Sequence, residues 1–460
     1  MSVGKYSWYY VYFTDLFGTF RRVLLHSSLL DEKAFKEGLG KLDGSSVRGF
    51  TTISESDLVL KPDPKTILPY PWCGDLCEEG VGRVIADVYK PRGRERLPQD
   101  PRGAARRVEE LLAERGLRAL MAAELEYFIF DGIKVKLEPH IQYSEIIANK
   151  APWSEAGGLK VAFKDGYYVP SPHDAGEEVK YRIIRTLTRK YGIKVEVSHH
   201  EVAGASQHEL NFQPGSPVET ADRIQLIKEA VKTEAALSGK VATFMPKPIT
   251  GDNGSGVHVH VSIWSGDTNL FYDESDEYAG ISGFARSFIA GILEHARPLS
   301  AIVSPTVNSY KRLVPGFEAP VYLVWSKANR SAAIRVPAYH RKASAARIEF
   351  RSPDPSMNPY LALSAVILAG LDGVDRKLDP GDPVDENVYL MTPEKRRQLG
   401  IKTLPRSLDE ALDELESDHE WLLRAWPREL LEKYIEMKRE ETKKLAMWVS
   451  PAELDYYAGV

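Results

Sequence analysis

From Gly251 the chain runs through a glycine-rich turn, Gly251-Asp252-Asn253-Gly254-Ser255-Gly256, into Val257-His258-Val259-His260-Val261-Ser262-Ile263-Trp264, where apolar and polar residues alternate strictly. A period of two predicts a half-buried strand over 257–264, with Val257, Val259, Val261 and Ile263 in a core and His258, His260 and Ser262 on the other face. The same kind of pattern predicts strands near 118–130, 193–202 and 207–213, and short N-terminal strands such as Tyr6–Asp15 and Phe20–Leu25. Helical patterns fall near 174–191, 217–238, 279–297 and 358–371, and Glu- and Lys-rich helices from about 408 to 446 finish the chain, with Pro451 as their stop. Asp100-Pro101 supplies a cap and a first-turn proline for one more helix, which Gly116 closes. Lys90 to Arg107, rich in Arg, Pro and Gly, reads as a linker or basic flap, and the domain boundary is placed near residue 98, giving domains of 1–98 and 99–460.

Composition narrows the function classes. A chain of 460 residues with 43% hydrophobic content can bury a large core. Its 60 basic and 65 acidic residues balance to a net charge of −5, which is no footprint for nucleic acid. No run reaches the ~18 apolar residues of a membrane span, so a soluble, cytoplasmic protein is expected. Cys73 and Cys77 are the only cysteines and read as inert thiols in a reducing compartment.

Taken singly, a histidine on a strand face reads as a surface or hydrogen-bonded structural residue. What changes that reading is the company it keeps. In Glu124-Leu125-Glu126 the strand period puts both carboxylates on one face, ~7 Å apart. In His199-His200-Glu201-Val202-Ala203-Gly204-Ala205-Ser206-Gln207-His208-Glu209 a turn at Gly204 folds Glu209 back beside Glu201. Arg347-Ile348-Glu349-Phe350-Arg351 alternates again, so two guanidiniums and a carboxylate share a face. Each stretch alone reads as a charged strand edge. If the carboxylates converge, each close pair repels by about 3 kcal/mol at ~5 Å and an effective dielectric of about 20, and protons or cations must offset it. Five carboxylates and His258 form a donor set for Mg²⁺ or Mn²⁺ rather than zinc or copper, with room for two ions.

Arg312, Arg330, Arg335, Arg347 and Arg351 fall within 40 residues of a largely apolar region, and guanidinium is the group that grips phosphate and carboxylate. Surface solvation is the competing account of each. Pro315-Gly316 makes a turn that holds Glu318 on a loop, where a carboxylate can serve as a lid or a proton acceptor. No Gly-x-x-x-x-Gly-Lys-Ser/Thr loop occurs, and the glycines at 251–256 lead into a strand, so P-loop and dinucleotide folds are disfavoured.

These stretches, in this order, resemble type I glutamine synthetase. The resemblance rests on Asp43-Gly44-Ser45-Ser46, Glu55-Ser56-Asp57, Glu124-x-Glu126, His199-His200-Glu201-Val202, Gln207-His208-Glu209 and Ala242-Thr243-Phe244-Met245-Pro246-Lys247-Pro248. It continues through Asn253-Gly254-Ser255-Gly256-x-His258, Asn308 to Gly316, Asn329-Arg330-Ser331 and Asn358-Pro359-Tyr360. It implies an α+β fold, a small β-grasp-like N-terminal domain followed by a large catalytic domain with a curved, mainly antiparallel sheet flanked by helices. It implies ATP-dependent joining of ammonia to L-glutamate through γ-glutamyl phosphate, with ATP and two or more Mg²⁺ or Mn²⁺ ions per site. Matched motif by motif, Glu126, Glu201 and Glu209 hold one metal and Glu124, His258 and Glu349 the other. Asn253, Gly254, Arg312 and Arg351 hold glutamate; Glu196, His260, Ser262, Arg335 and Arg347 hold ATP. Asp43 takes the proton of ammonium, Arg330 stabilises phosphoryl transfer, and Glu318 closes over the acyl phosphate. The family's dodecamer of two hexameric rings is the expected assembly, with Asp43 donated by the adjacent chain and the segment 427–460 between rings.

Two departures bear on regulation. The segment Asn387-Val388-Tyr389-Leu390-Met391-Thr392-Pro393 differs from the family's adenylylation motif, and Thr52 stands where the feedback-inhibited subtype has arginine. The spacing between Arg335 and Arg347 is one residue longer than the family pattern, which bears on Arg347 and Lys342. Two other readings stay open at this stage: a ligase that uses a polyamine or another amine, and an inactive relative with a structural role. Asp43 and Glu318 favour ammonia.

Overall fold

The structure is a computed structural model and describes residues 5–91, 94–339 and 341–460. The N-terminal strands are Trp8–Thr14 (β1), Phe20–His26 (β2), Leu39–Asp43 (β3), Asp57–Pro62 (β4), Leu68–Pro69 (β5) and Val81–Tyr89 (β6). They form a mixed sheet in the order β2-β1-β6-β4-β3, with β5 on β6. β6 is buried along its whole length because it runs parallel to β1 and antiparallel to β4 in the middle of the sheet. Tyr9, Val11 and Phe13 alternate into a core with Val84 and Val88. A helix over Glu32–Glu37, capped by the Asp31 carboxylate on the Ala34 amide, crosses from β2 to β3. This is the β-grasp arrangement implied above.

The second sheet holds the chemistry-bearing strands. Arg118–Phe130 (β7) is followed by a hairpin of Gly132–Glu138 (β8) and Ile141–Ile147 (β9), then Val195–His200 (β10), Gln207–Phe212 (β11), Val241–Thr243 (β12), Val257–Ser265 (β13) and Thr268–Asn269 (β14). Trp325–Lys327 (β15), Ile334–Val336 (β16) and Ile348–Phe350 (β17) complete it. The order is β10-β11-β7-β13-β17-β16-β15, with β12 on β7 and β14 on β13, antiparallel except between β15 and β16. Val257, Val259, Val261 and Ile263 are buried in the main core, as the alternation requires. Behind them Pro359–Asp375, apolar all round, packs against Gly283–Glu294 so closely that a Cβ on Gly373 would stand 2.5 Å from the Gly291 nitrogen. The fold is α+β.

Several expectations need correction. The helix predicted over 279–297 is two, Gly283–Glu294 and Ala296–Val303: Pro298 has no N–H to give the Glu294 carbonyl, so the first helix ends there. Pro451 does not stop a helix but opens one, Pro451–Tyr457, with Ser450 and Glu453 forming a capping box. Cys73 and Cys77 are joined in a disulfide rather than free. One turn of 3₁₀ helix brings their Cα atoms to 5.1 Å, inside the range a bridge needs, and the redox argument drawn from free thiols falls with it. The hairpin β8–β9 was not foreseen. The flap reading of Lys90 to Arg107 falls partly on residues 92 and 93, which lie outside the described residues. Among the described residues no helix is long and apolar enough to cross a membrane.

The two sheets are tied together through a buried guanidinium. Arg102, 2% exposed, donates to Asp87 at 2.6 Å and to Asp63 at 3.0 Å in the first domain, and to both oxygens of Asp222 at 3.0 and 2.9 Å in the second. Arg106 repeats the contact to Asp63 at 2.6 Å, and the Tyr360 hydroxyl donates to Asp222 at 2.6 Å. Burial pushes Asp63 and Asp87 upward, but Arg102 beside them wins and holds both below the usual carboxylate range. The stability they contribute is therefore complete above the unfolded value of about 3.9 and fades as pH falls through their lower folded values. Arg102→Ala leaves buried Asp222 without a cationic partner while Asp63 and Asp87 keep Arg106, and is expected to cost about 3 kcal/mol at neutral pH, read as a lower urea midpoint. The deficit should shrink below pH ~4, where the carboxylates take up protons; a cost unchanged by pH would deny the link.

Candidate functional site

The register of the large sheet decides which side chains meet. Across antiparallel neighbours, residues directly opposite share a face. His199 on β10 lies opposite Glu209 on β11, and Glu209 opposite Glu126 on β7. Asn211 on β11 lies opposite Glu124 on β7, and Glu124 opposite His258 on β13. His260 lies opposite Glu349 on β17, and Glu349 opposite Arg335 on β16. Three rungs thus place five carboxylate- or imidazole-bearing strands on one face, and the turn after Glu201 brings its carboxylate to the same place.

Two clusters result. Glu124, Glu209 and His258 offer donor atoms within 4.8 Å of one another, and so do His199, Glu201 and Glu209. Glu126 turns one oxygen to the Gln207 amide at 2.9 Å and the Gly256 amide at 3.0 Å. A Cβ at Gly256 would stand 2.5 Å from Arg312 Nη2, so a larger residue there would displace the Arg312 guanidinium. Burial, followed by the Glu201 and Glu209 charges, pushes Glu126 far above the usual carboxylate range; burial and then Glu209 push Glu201 up to about 7. Carboxylates so crowded hold protons unless a cation relieves them. Oxygen donors with one or two imidazoles form a set that fits Mg²⁺ or Mn²⁺.

The other end of the face is compensated by bases. Glu124 accepts from His258 at 2.7 Å and from His260 at 2.9 Å, and these bonds overcome burial and lower it. Glu349 pairs with Arg335 and, at 2.7 Å, with Arg351; against burial, Arg351 and then His260 and His258 bring it to about 2. Arg347 donates to His260 at 3.2 Å.

Two cavities open on the face. One of 70 Å³ is lined by Glu126, Glu201, Glu209, Asn253, Gly254, His258, Arg312, Glu318, Arg330 and Arg351. Its walls carry buried polar atoms without partners, Asn253 Oδ1 and Arg351 Nε among them. Arg312 is committed in part, donating to the carbonyls of Ser352, Pro353 and Arg351 at 2.8, 3.2 and 3.2 Å. The other cavity, of 320 Å³, brings together Glu196, His260, Ser262 and Arg347 with Glu124. Arg335 is outside that lining and faces Glu349 and Tyr339.

Asp43 stands apart. It ends β3 in the other domain and is exposed, its oxygens accepting from Ser45 Oγ and Ser46 Oγ at 2.7 Å each, and it lines neither cavity of its own chain. Glu318 is on the loop, its Oε2 accepting from Asn253 Nδ2 at 3.3 Å. Residues that site reasoning passed over are His199, Gln207, Asn211 and Tyr167. Period two carried two of them, since Gln207 and Asn211 share one face of β11 with Glu209, and His199 lies opposite Glu209 on β10. Tyr167 stacks on Tyr168 with ring centroids 4.1 Å apart in a loop where no periodicity could point to it.

Residues 5–91 match the family model described as glutamine synthetase, beta-Grasp domain, and residues 98–457 the one described as glutamine synthetase, catalytic domain. A glutamine synthetase of Sulfolobus acidocaldarius is 49% identical, over 99% of this chain and 96% of that one. One from Archaeoglobus fulgidus is 42% identical, over 93% of this chain and 89% of that one. The cryo-electron microscopy structure of Plasmodium falciparum glutamine synthetase superposes with a TM-score of 0.89 at 28% identity, covering 99% of this chain and 96% of that chain. With family models spanning both domains, relatives alike along nearly the whole length and the converging strands described above, the chain belongs to the glutamine synthetase family of ATP-dependent ligases.

Proposed function

We infer that the protein joins ammonia to the γ-carboxylate of L-glutamate, with ATP as phosphoryl donor and γ-glutamyl phosphate as intermediate. The observation that carries this reading is the single sheet face on which carboxylates, histidines and arginines converge beside two adjoining cavities. In this reading the 70 Å³ cavity takes glutamate between Asn253, Gly254, Arg312 and Arg351, and the 320 Å³ cavity takes ATP beside Glu196, His260, Ser262 and Arg347, while the Arg335 expected there is spent on Glu349. Glu126, Glu201 and Glu209 would hold one divalent ion, Glu124, His258 and Glu349 another. Bound there, Mg²⁺ or Mn²⁺ supplies positive charge that neutralises the phosphates.

The side chains do the rest. Arg330 reaches the transferring phosphoryl group and stabilises its spreading charge. Asp43, presented by a neighbouring copy, accepts a proton from ammonium so that neutral ammonia attacks the acyl phosphate. Glu318, over the cavity, excludes water and takes the second proton. The exposure of Asp43 away from its own cavity is what favours a shared site and hence a ring assembly, two hexameric rings in this reading. The exposed Met447, Leu454, Tyr456 and Tyr457 of the C-terminal segment would supply inter-ring contacts. Modification of Tyr389 does not fit, because its hydroxyl donates to the Ala319 carbonyl at 2.8 Å.

The test is phosphate release with glutamate, ATP and Mg²⁺ across ammonium and a panel of amines. Ammonium should give the highest kcat/KM, and a polyamine exceeding it would reassign the substrate. Asp43→Ala is expected to keep ATP and glutamate affinity while lowering kcat with ammonium by about 10²–10⁴ at neutral pH. Glu349→Gln should weaken Mg²⁺ and nucleotide binding together, by about tenfold or more; calorimetric titration with undiminished nucleotide affinity would remove Glu349 from that role.

A further inference from the structure

Resting on the function just proposed, we propose that Lys164 and Lys247 are positioning residues that hold the Glu318 loop shut by gripping Phe317. The Lys247 ammonium lies over the Phe317 ring at 3.7 Å from its centroid and the Lys164 ammonium at 4.2 Å. Both are within the range where a cation is drawn to the ring's negative face. Lys164 Nζ also donates to the Gly316 carbonyl at 3.0 Å. The loop therefore has two attachments one residue before the carboxylate that the mechanism needs.

The loop needs holding because its backbone does not favour the closed form. Glu318 has φ +56°, in the left-handed region that L-residues avoid, and follows Gly316 at φ +93°. Lys164 itself sits at φ +61°. Strained backbone of this sort persists only where surrounding contacts over-determine it.

Those contacts converge on Asp252, which has no exposed surface. Its Oδ1 accepts the amides of Lys164 and Asn253, each at 3.0 Å, and its Oδ2 the amide of Gly204 at 2.8 Å. Its carbonyl accepts from Lys247 Nζ. One buried aspartate thus ties the backbone of Lys164 and the ammonium of Lys247 to Asn253, which contacts Glu318, and to the turn that carries Glu201. Lys247 is further fixed by Asn308, which accepts its amide at 2.7 Å and donates to its carbonyl at 3.0 Å. Burial pulls Lys247 down to about 8, against the Asp252 carboxylate, so it remains cationic at neutral pH.

A grip on the lid has a specific chemical consequence. With the loop closed, the acyl phosphate meets only ammonia: the ammonia nitrogen bonds to the carbonyl carbon of the γ-carboxyl group, the bond from that carbon to the phosphate oxygen breaks and phosphate leaves, and a proton goes to a carboxylate. With the loop loosened, water attacks the same carbon, its oxygen forming the new bond and phosphate again leaving, and the products are glutamate and phosphate. ATP is then consumed without glutamine.

The experiment measures glutamine formed per phosphate released, in assembled enzyme, for wild type, Lys164→Met, Lys247→Met, Phe317→Leu and the charge-keeping Lys164→Arg. Wild type should give a ratio near one, and its failure to form any glutamine would sink the function and not the grip. The two methionine variants and Phe317→Leu are expected to lower the ratio severalfold, with KM for ATP unchanged, and Lys164→Arg should restore it. Ratios that stay at the wild-type value in the methionine variants overturn the proposal. So does an arginine variant as uncoupled as the methionine one, since charge over the ring is then not what holds the loop.

Discussion

Like charges crowded on one side of a sheet are the constraint to which the rest of the structure answers. Glu124, Glu126, Glu201, Glu209 and Glu349 meet on a face where each close pair costs about 3 kcal/mol at an effective dielectric of about 20. The face can bear this because the opposite side of the same strands is fully buried: Leu125, Tyr127, Leu210, Val257, Val259 and Val261 are between 0% and 1% exposed. Apolar packing fixes the register, and register brings the carboxylates together. Strand geometry leaves them no route apart, because a slip by one residue would turn the whole apolar set to solvent.

Compensation is uneven across that face, and the unevenness divides the labour. At the β17 end, Arg335 and Arg351 neutralise Glu349, and His258 and His260 bond to Glu124. At the β11 end, Glu126, Glu201 and Glu209 have Gln207, His199 and a partly committed Arg312, too little positive charge for three carboxylates. A cation is wanted most at that end, beside the cavity that Glu318 helps to line.

Much of this was legible from residue order. Strict alternation placed β13 and β7 almost to the residue, and assigned His258, His260, Glu124 and Glu126 their side of the sheet. The turn at Gly204 put Glu209 near Glu201, whose donor atoms lie within 4.8 Å of each other, although the register of β10 on β11 sets Glu209 directly opposite His199. What alternation could not reveal is pairing between distant strands: that Glu349 faces His260, or that Gln207 reaches Glu126, depends on sheet order. The short strands β15, β16 and β17, of three residues each, carry too little pattern to announce themselves. The break at His295 was hidden because the apolar rhythm continues across it, while backbone chemistry at Pro298 does not. The Cys73–Cys77 bridge was missed because compartment was weighed before geometry.

The Arg102 junction reaches further than its own surroundings. A guanidinium bonded to Asp63 and Asp87 on one side and Asp222 on the other ties the small domain to the large one. The Asp43 turn, carried on that domain, lines neither cavity of its own chain. On the proposed mechanism, in which a neighbouring copy presents Asp43, a lone subunit is an unfinished tool, and scattering the assembly into single chains would silence catalysis without disturbing one atom of the sheet face.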